Sequence, residues 1–338
     1  MDLVGAAWFG LALLTGLIGL TLIGSTEIAG GLADPVVVTA VLLLASAMLT
    51  ALAIRHGLRR PDPFLDPRLF RIPAFAAAAL VSLLTGYAFA TAIIGGAVFV
   101  DRVLYGGPDE QRLALGALAA ATAVGALVSG FALRVLSLRL ATVTGLALSI
   151  AGLMAMASWA PATDITIVAG SLAVFGFGFG LTVTPRSTAA VEAAGRRAFG
   201  AAASVVTVAR MIGMAIGLAI LTAYGSTTID RLADEVYATP DAYLQFIPES
   251  LHDRPLRDPF VVDALEEWAS REAARIMVGL FLVAAAVTAL AVPPSLVLGR
   301  RPRMLADVAA APDAPGAADP PGGHESDGRE PTEPSAVL

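Results

Sequence analysis

Arg210 is the side chain whose type and position most demand an explanation. It is read as the only charged residue well inside an apolar run, the one spanning 200–224. If that run enters a bilayer near Gly200, a rise of about 1.5 Å per residue carries Arg210 about 15 Å inward. That is roughly the midplane of a hydrocarbon layer about 30 Å thick. A lone arginine there costs about 2.5–3.5 kcal/mol on insertion scales, and its Ala, Val, Met and Gly neighbours offset little of it. Snorkelling serves charges near a helix end better than one at mid-depth. The guanidinium is therefore expected to line a watery cavity or to meet an acid. Gly213 and Gly217 follow at i+3 and i+7 and share its face. Thr207 on the same run, with Tyr87 and Thr91 on an earlier one, completes the candidate set for a substrate cavity or coupling site.

Catalytic spacing is otherwise scarce. His56, His252 and His324 are read in loops or the tail, with no second ligand at metal-binding spacing. There is no cysteine, hence no disulfide, thiolate site or redox chemistry. No G-x-S-x-G, phosphate loop or dinucleotide fingerprint occurs, and the glycines of 176–180 lie inside an apolar run. An enzyme is not expected, nor a cofactor, a metal or a nucleic-acid partner. Glu27, Asp34, Asp101 and Asp164 fall at outer ends of spans, so no carboxylate deep in the bilayer is available to carry protons.

The elements that must position these residues are helices. Hydrophobic residues make up 57% of the 338, in blocks of twenty or more, and mean hydropathy is +0.76. This argues for an all-α polytopic membrane protein; the short alternating segments of a barrel are not visible. Eight spans are expected at 4–23, 34–54, 73–99, 112–133, 138–158, 164–184, 200–224 and 273–298. The first lacks the basic flank of a secretory signal.

The loops after the second, fourth and sixth spans, with the C-terminal flank, hold Arg55, Arg59, Arg60, Arg68, Arg71, Arg134, Arg139, Arg186, Arg196, Arg197, Arg300, Arg301 and Arg303. The opposite loops are dominated by acids. Arginine collects on the cytoplasmic side, so both termini are expected inside a cell membrane, that of a bacterium. The long loop 225–272 then lies outside. It carries Tyr237, Tyr243, Phe246, Trp268 and a helical-looking acidic stretch at 263–272, and reads as a small cap or a solvated loop, with a ligand lid as the alternative. Trp8 and Trp159 near span ends suit the membrane interface. Residues 300–338, rich in Pro, Ala, Gly and acids, read as a disordered cytoplasmic tail.

Small residues mark close helix approach. Gly176, Gly178 and Gly180 lie in the sixth span and Gly213 and Gly217 in the seventh, each set containing a G-x-x-x-G pair. Spans three to seven are thick with Gly, Ser and Thr, the pattern of helices that slide or break. Thr182, Thr184 and Pro185 at the inner end of the sixth span either free a backbone carbonyl or stop the helix.

In order along the chain, Asp2-Leu3-Val4-Gly5 opens a span, Arg60-Pro61, Leu69-Phe70-Arg71 and Phe75 lead into the third, and Gly176-Phe177-Gly178-Phe179-Gly180 runs to Pro185. Gly200-Ala201-Ala202 then precedes Arg210, Gly213 and Gly217. These features resemble helices seven to fourteen of a major facilitator superfamily transporter, of the fourteen-helix drug:proton antiporter branch. The resemblance implies that residues 1–60 are the two inserted helices and 61–299 the C-terminal six-helix bundle. It also implies that the first six helices, with their antiporter motif, are missing. The loop from Gly130 to Arg139 keeps arginines without an aspartate, and Asp101-Arg102 stands where an uncharged polar residue is expected. The chain therefore reads as a truncated product, a split-gene partner or a mis-called start, which the DNA upstream of Met1 decides. The expected function is export of small amphipathic, drug-like or cationic compounds against protons, with an N-terminal half or a second copy as partner. A non-transporting membrane scaffold or interaction module is the alternative.

Overall fold

The structure, a computed structural model, describes residues 2–22, 34–60, 66–195, 199–236, 239 and 241–299. Expectations that fall on Glu27, Pro61, Arg196, Arg197, Tyr237 and the tail 300–338 lie outside the described residues. Within them, the long helices are α1 (Leu3–Thr21), α2 (Pro35–Arg59), α3 (Pro73–Arg102), α4 (Pro108–Ala132), α5 (Leu138–Met156), α6 (Ile165–Ala194), α7 (Phe199–Ile220) and α9 (Pro259–Ala289). Shorter α8 (Thr227–Val236) and α10 (Val292–Ser295) flank α9. Eight spans are long and apolar enough to cross a membrane, and no strand occurs among the described residues. The protein is an all-α polytopic membrane protein.

The pair α1–α2 packs mainly on itself, with α1 also touching α7, and most of its apolar surface is exposed. The Ser46 hydroxyl donates to the Ala12 carbonyl (2.7 Å) where Gly16 leaves room for it. Asp2 caps α1 by accepting from the Gly5 N–H at 2.9 Å, and its carboxylate lies 3.0 Å from His56 Nε2. A Cβ on Gly5 would stand 2.3 Å from that carboxylate, which gives Asp2-x-x-Gly5 a physical reason. His56 belongs to the last turn of α2, correcting its expected place in a loop.

The remaining spans form a bundle in which α3 and α6 are the most buried. The glycines of α6 explain its central place. Successive glycines two apart point to opposite sides of a helix. Accordingly, Cβ atoms on Gly176 and Gly180 would press on the Leu118 and Thr122 carbonyls of α4, at 2.5 and 2.3 Å. A Cβ on Gly178 would press on the Ser149 N–H of α5 at 2.5 Å. One run of alternating glycine and phenylalanine thus lets two neighbours approach to backbone contact.

Where the sixth span was expected to end near 184, α6 continues to Ala194. Pro185 lacks the N–H that would bond Leu181, and this freed carbonyl accepts from the Ser129 hydroxyl of α4 at 2.9 Å. The proline therefore neither stops the helix nor leaves a buried acceptor unmet. Trp159 also departs from expectation. It is 3% exposed, its indole donates to Ser171 Oγ (3.0 Å), and Phe99 and Phe281 pack on its ring, so it is a core residue and not an interface anchor.

The described residues of 225–272 form helices and turns. A π-helical turn (Leu221–Ser226) leads into α8, and the acidic stretch at 263–272 forms part of the first turns of α9. Val236, Tyr243, Ile247, Val261 and Leu265 make a small apolar core of their own. Ser270 ties α9 to the end of α3 by donating to the Val103 carbonyl (2.8 Å).

Candidate functional site

The site is organised by two adjacent residues of α3, Thr85 and Gly86. Gly86 has no side chain, so the backbone of α7 comes in at Arg210: a Cβ there would lie 2.2 Å from the Arg210 carbonyl oxygen. Further along, Gly213 meets the Leu83 carbonyl, where a Cβ would stand at 1.9 Å, and Gly217 meets that of Tyr87 at 2.7 Å. Three glycines on two helices thereby seat α7 on α3. The same register sets Arg210 at this seam, about 16 Å from the first residue of α7.

From the other side α6 delivers a second guanidinium, Arg186, which the sequence placed in a loop. It is 1% exposed, the largest fully buried side chain among the described residues. Its Nη1 donates to the Thr85 hydroxyl, and its Cζ lies 5.1 Å over the Phe179 ring. Phe179 is in turn stacked on Phe89, with ring centroids 4.2 Å apart. A desolvated cation–π contact is worth about 2 kcal/mol, so the aromatic stack offsets part of the burial cost of this charge. Neither guanidinium is ion-paired with a carboxylate among the described residues. Glu192, the acid within α6, lies about 9 Å further along the helix axis from Arg186.

The two arginines differ in how well they are met. Arg210 is half-buried, and its Nε is shielded from solvent without a hydrogen-bond partner. A buried donor left unmet costs about 1–3 kcal/mol. Thr207, one turn earlier, is exposed and turns its hydroxyl back to the Ala203 carbonyl (3.0 Å). Met211 beside it is 51% exposed. Tyr87 and Thr91 are buried in the α3 core, the Thr91 hydroxyl donating to the Tyr87 carbonyl at 3.1 Å. The seam therefore brings Arg210, Gly213, Gly217 and Tyr87 together, leaves Thr207 on the outward side of α7, and places Gly176, Gly178 and Gly180 on the α4 and α5 faces of α6. Arg186 was missed because a proline before it reads as a stop. The signal that could have found it is the run of helix-forming Ala189, Ala190, Val191, Ala193 and Ala194 beyond the proline.

Two apolar cavities lie elsewhere. One of about 260 Å³ sits beneath the cap at the end of α3, with Arg102, Tyr105, Leu265, Trp268 and Glu272 in its wall. Burial and the neighbouring Glu266 push the Tyr105 phenol up from its ordinary pKa. The other, about 370 Å³, lies between α1, α2 and the 3₁₀ turn Pro67–Arg71. Among the described residues no cluster of three His, Cys, Asp or Glu side chains could hold a metal ion.

No family model matches this chain. It is 34% identical over 194 residues to a triacylglyceride transporter of Mycolicibacterium hassiacum, covering 54% of this chain and 36% of that protein. A triacylglyceride transporter of Mycolicibacterium smegmatis is 30% identical over 171 residues, covering 48% and 30%. An uncharacterized transporter of Escherichia coli, YebQ, is 29% identical over 169 residues, covering 50% and 37%. Among solved structures, a bacterial homologue of the human lysosomal transporter Spinster superposes with a TM-score of 0.44 at 21% identity, over 84% of this chain and 65% of that one. The matched stretch spans about a third of the length of the M. hassiacum and M. smegmatis relatives. This chain is a multi-pass membrane protein similar, over about half its length, to bacterial proteins named as transporters.

Proposed function

We propose that this chain is one bundle of a major facilitator transporter that exports small amphipathic compounds against protons across a cell membrane, working with a second bundle. The second bundle is an N-terminal half, on this polypeptide or another, or a second copy of the chain. The observation that carries the reading is Arg210, a charge at mid-depth whose Nε is shielded and unmet within the described residues. A charge kept in an apolar span is a mark of a substrate or ion pathway. Its complement belongs to the opposing wall, since rocking of two bundles about a shared midplane site needs both walls. The similarity to proteins named as transporters supports the same reading. Both termini on the cytoplasmic side follow from the arginine distribution.

Reconstitution tests this. Proteoliposomes holding the chain with a six-span partner bundle should show efflux of an amphipathic dye that depends on a pH gradient, and Arg210→Ala should abolish it while leaving insertion intact. Efflux from the chain alone would assign the second wall to another copy. No efflux in either arrangement, or unchanged efflux in Arg210→Ala, would reject the reading in favour of a scaffold.

A further inference from the structure

The seam at Thr85 and Gly86 gathers two positive charges, and neither is ion-paired among the described residues. We propose that it is an acid-binding site: Arg210 takes the carboxylate of an amphipathic acid from the bilayer, while Arg186 stands behind it as a second, fixed positive charge. The proposal rests on reading Arg210 as facing the substrate path, and it names the substrate class for that path.

Geometry supports the division of labour. Arg186 is 1% exposed and held by Thr85 and the Phe179 ring, so its position is set before any ligand arrives. Arg210 is only half-buried, so part of its side chain can be reached from outside, although its Nε is shielded. A guanidinium fork matches a carboxylate by two parallel hydrogen bonds. The same two charges repel a cation, and repulsion grows as water is excluded. An anionic compound is therefore favoured over the cationic one that the resemblance led us to expect. The ligand is also apolar over most of its length, because the residue next to Arg210 on the exposed side of α7 is Met211. A long-chain fatty acid has this chemistry. A carboxylate side chain from a second bundle shares only the headgroup, and the two sources differ in their dependence on free acid.

The test is scintillation-proximity binding of tritiated oleate to the full chain in a neutral maltoside detergent. Saturable binding is expected, displaced at least tenfold better by unlabelled oleate than by methyl oleate or dodecyltrimethylammonium. Arg210→Gln should weaken it at least tenfold, and Thr85→Val, which unties Arg186, about threefold. Equal displacement by methyl oleate, no saturable binding, or unchanged affinity in Arg210→Gln would overturn the proposal. The displacement comparison uses the unaltered protein and needs no variant to fold. Absent binding beside intact partner-dependent efflux would remove the acid site and leave the two-bundle reading standing.

Discussion

The two helices that carry the arginines, α6 and α7, are finished to different degrees by this chain. The middle of α6 is met from within. Gly176, Gly178 and Gly180 are occupied by α4 and α5, the proline-freed carbonyl is taken by Ser129, and Arg186 is held by Thr85 and Phe179. Around α7 the backbone-to-backbone approach is to α3, at Gly86, Gly213 and Gly217, while α6 and α1 pack on it through side chains. The other side shows Thr207 and Met211 exposed and leaves Arg210 Nε unpartnered. The difference separates two uses of a buried cation. Arg186 is part of the packing; Arg210 keeps an Nε without a hydrogen-bond partner among the described residues.

The largest effect that could break this contrast is steric. Gly213→Leu would force a side chain where a Cβ alone meets the Leu83 carbonyl at 1.9 Å. Overpacking against backbone should cost about 3 kcal/mol or more, read as loss of monodisperse protein after extraction. Gly116→Leu, on an open surface of α4, should extract normally. Next comes removal of the charges themselves. Arg186→Gln should lower the melting temperature clearly, since it deletes a buried contact to Thr85 and Phe179. Arg210→Gln should leave it nearly unchanged or raise it, because a shielded donor without a partner is lost. Equal losses would erase the distinction between the two helices.

A smaller effect sharpens the account of α6. Ser129→Ala strips the Leu181 carbonyl of its donor and should cost about 1–2 kcal/mol. In a Pro185→Ala background the helix supplies its own N–H, so the same change should cost much less; this coupling is what a double-mutant cycle measures. The smallest effect lies at the start of α6. The Thr166 hydroxyl and N–H hold the Asp164 carboxyl below its ordinary pKa. A depressed carboxylate stabilises above its unfolded value near 3.9 and loses that contribution as pH falls through the folded one. Asp164→Ala should therefore shift melting slightly at pH 7, and the shift should shrink below about pH 4.

Much of this was readable in advance. Eight apolar runs specify eight helices because an apolar run of about twenty residues has few other ways to satisfy its backbone in lipid. The close approach at Gly213 and Gly217 follows from their spacing, although the partner helix does not. Contacts between distant segments stayed hidden. Ser129 and Leu181 are 52 residues apart, and without that bond Pro185 reads as an end. Arg186 was accordingly counted with the loop arginines, and the deepest charge in the bundle was passed over. Trp159 was misjudged for a similar reason, since nothing near it in sequence announces Phe281 or Ser171.

The central claim, that α7 presents an uncompensated positive face reached by water, can be measured directly because the chain has no cysteine of its own. In a Thr207→Cys variant, one turn from Arg210, the modification rates of anionic and cationic methanethiosulfonates should be compared after normalising each to a free thiol. The account predicts that the anionic reagent reacts about tenfold faster, with the preference shrinking as salt is added. Equal rates for the two reagents, or no modification by either, would contradict it.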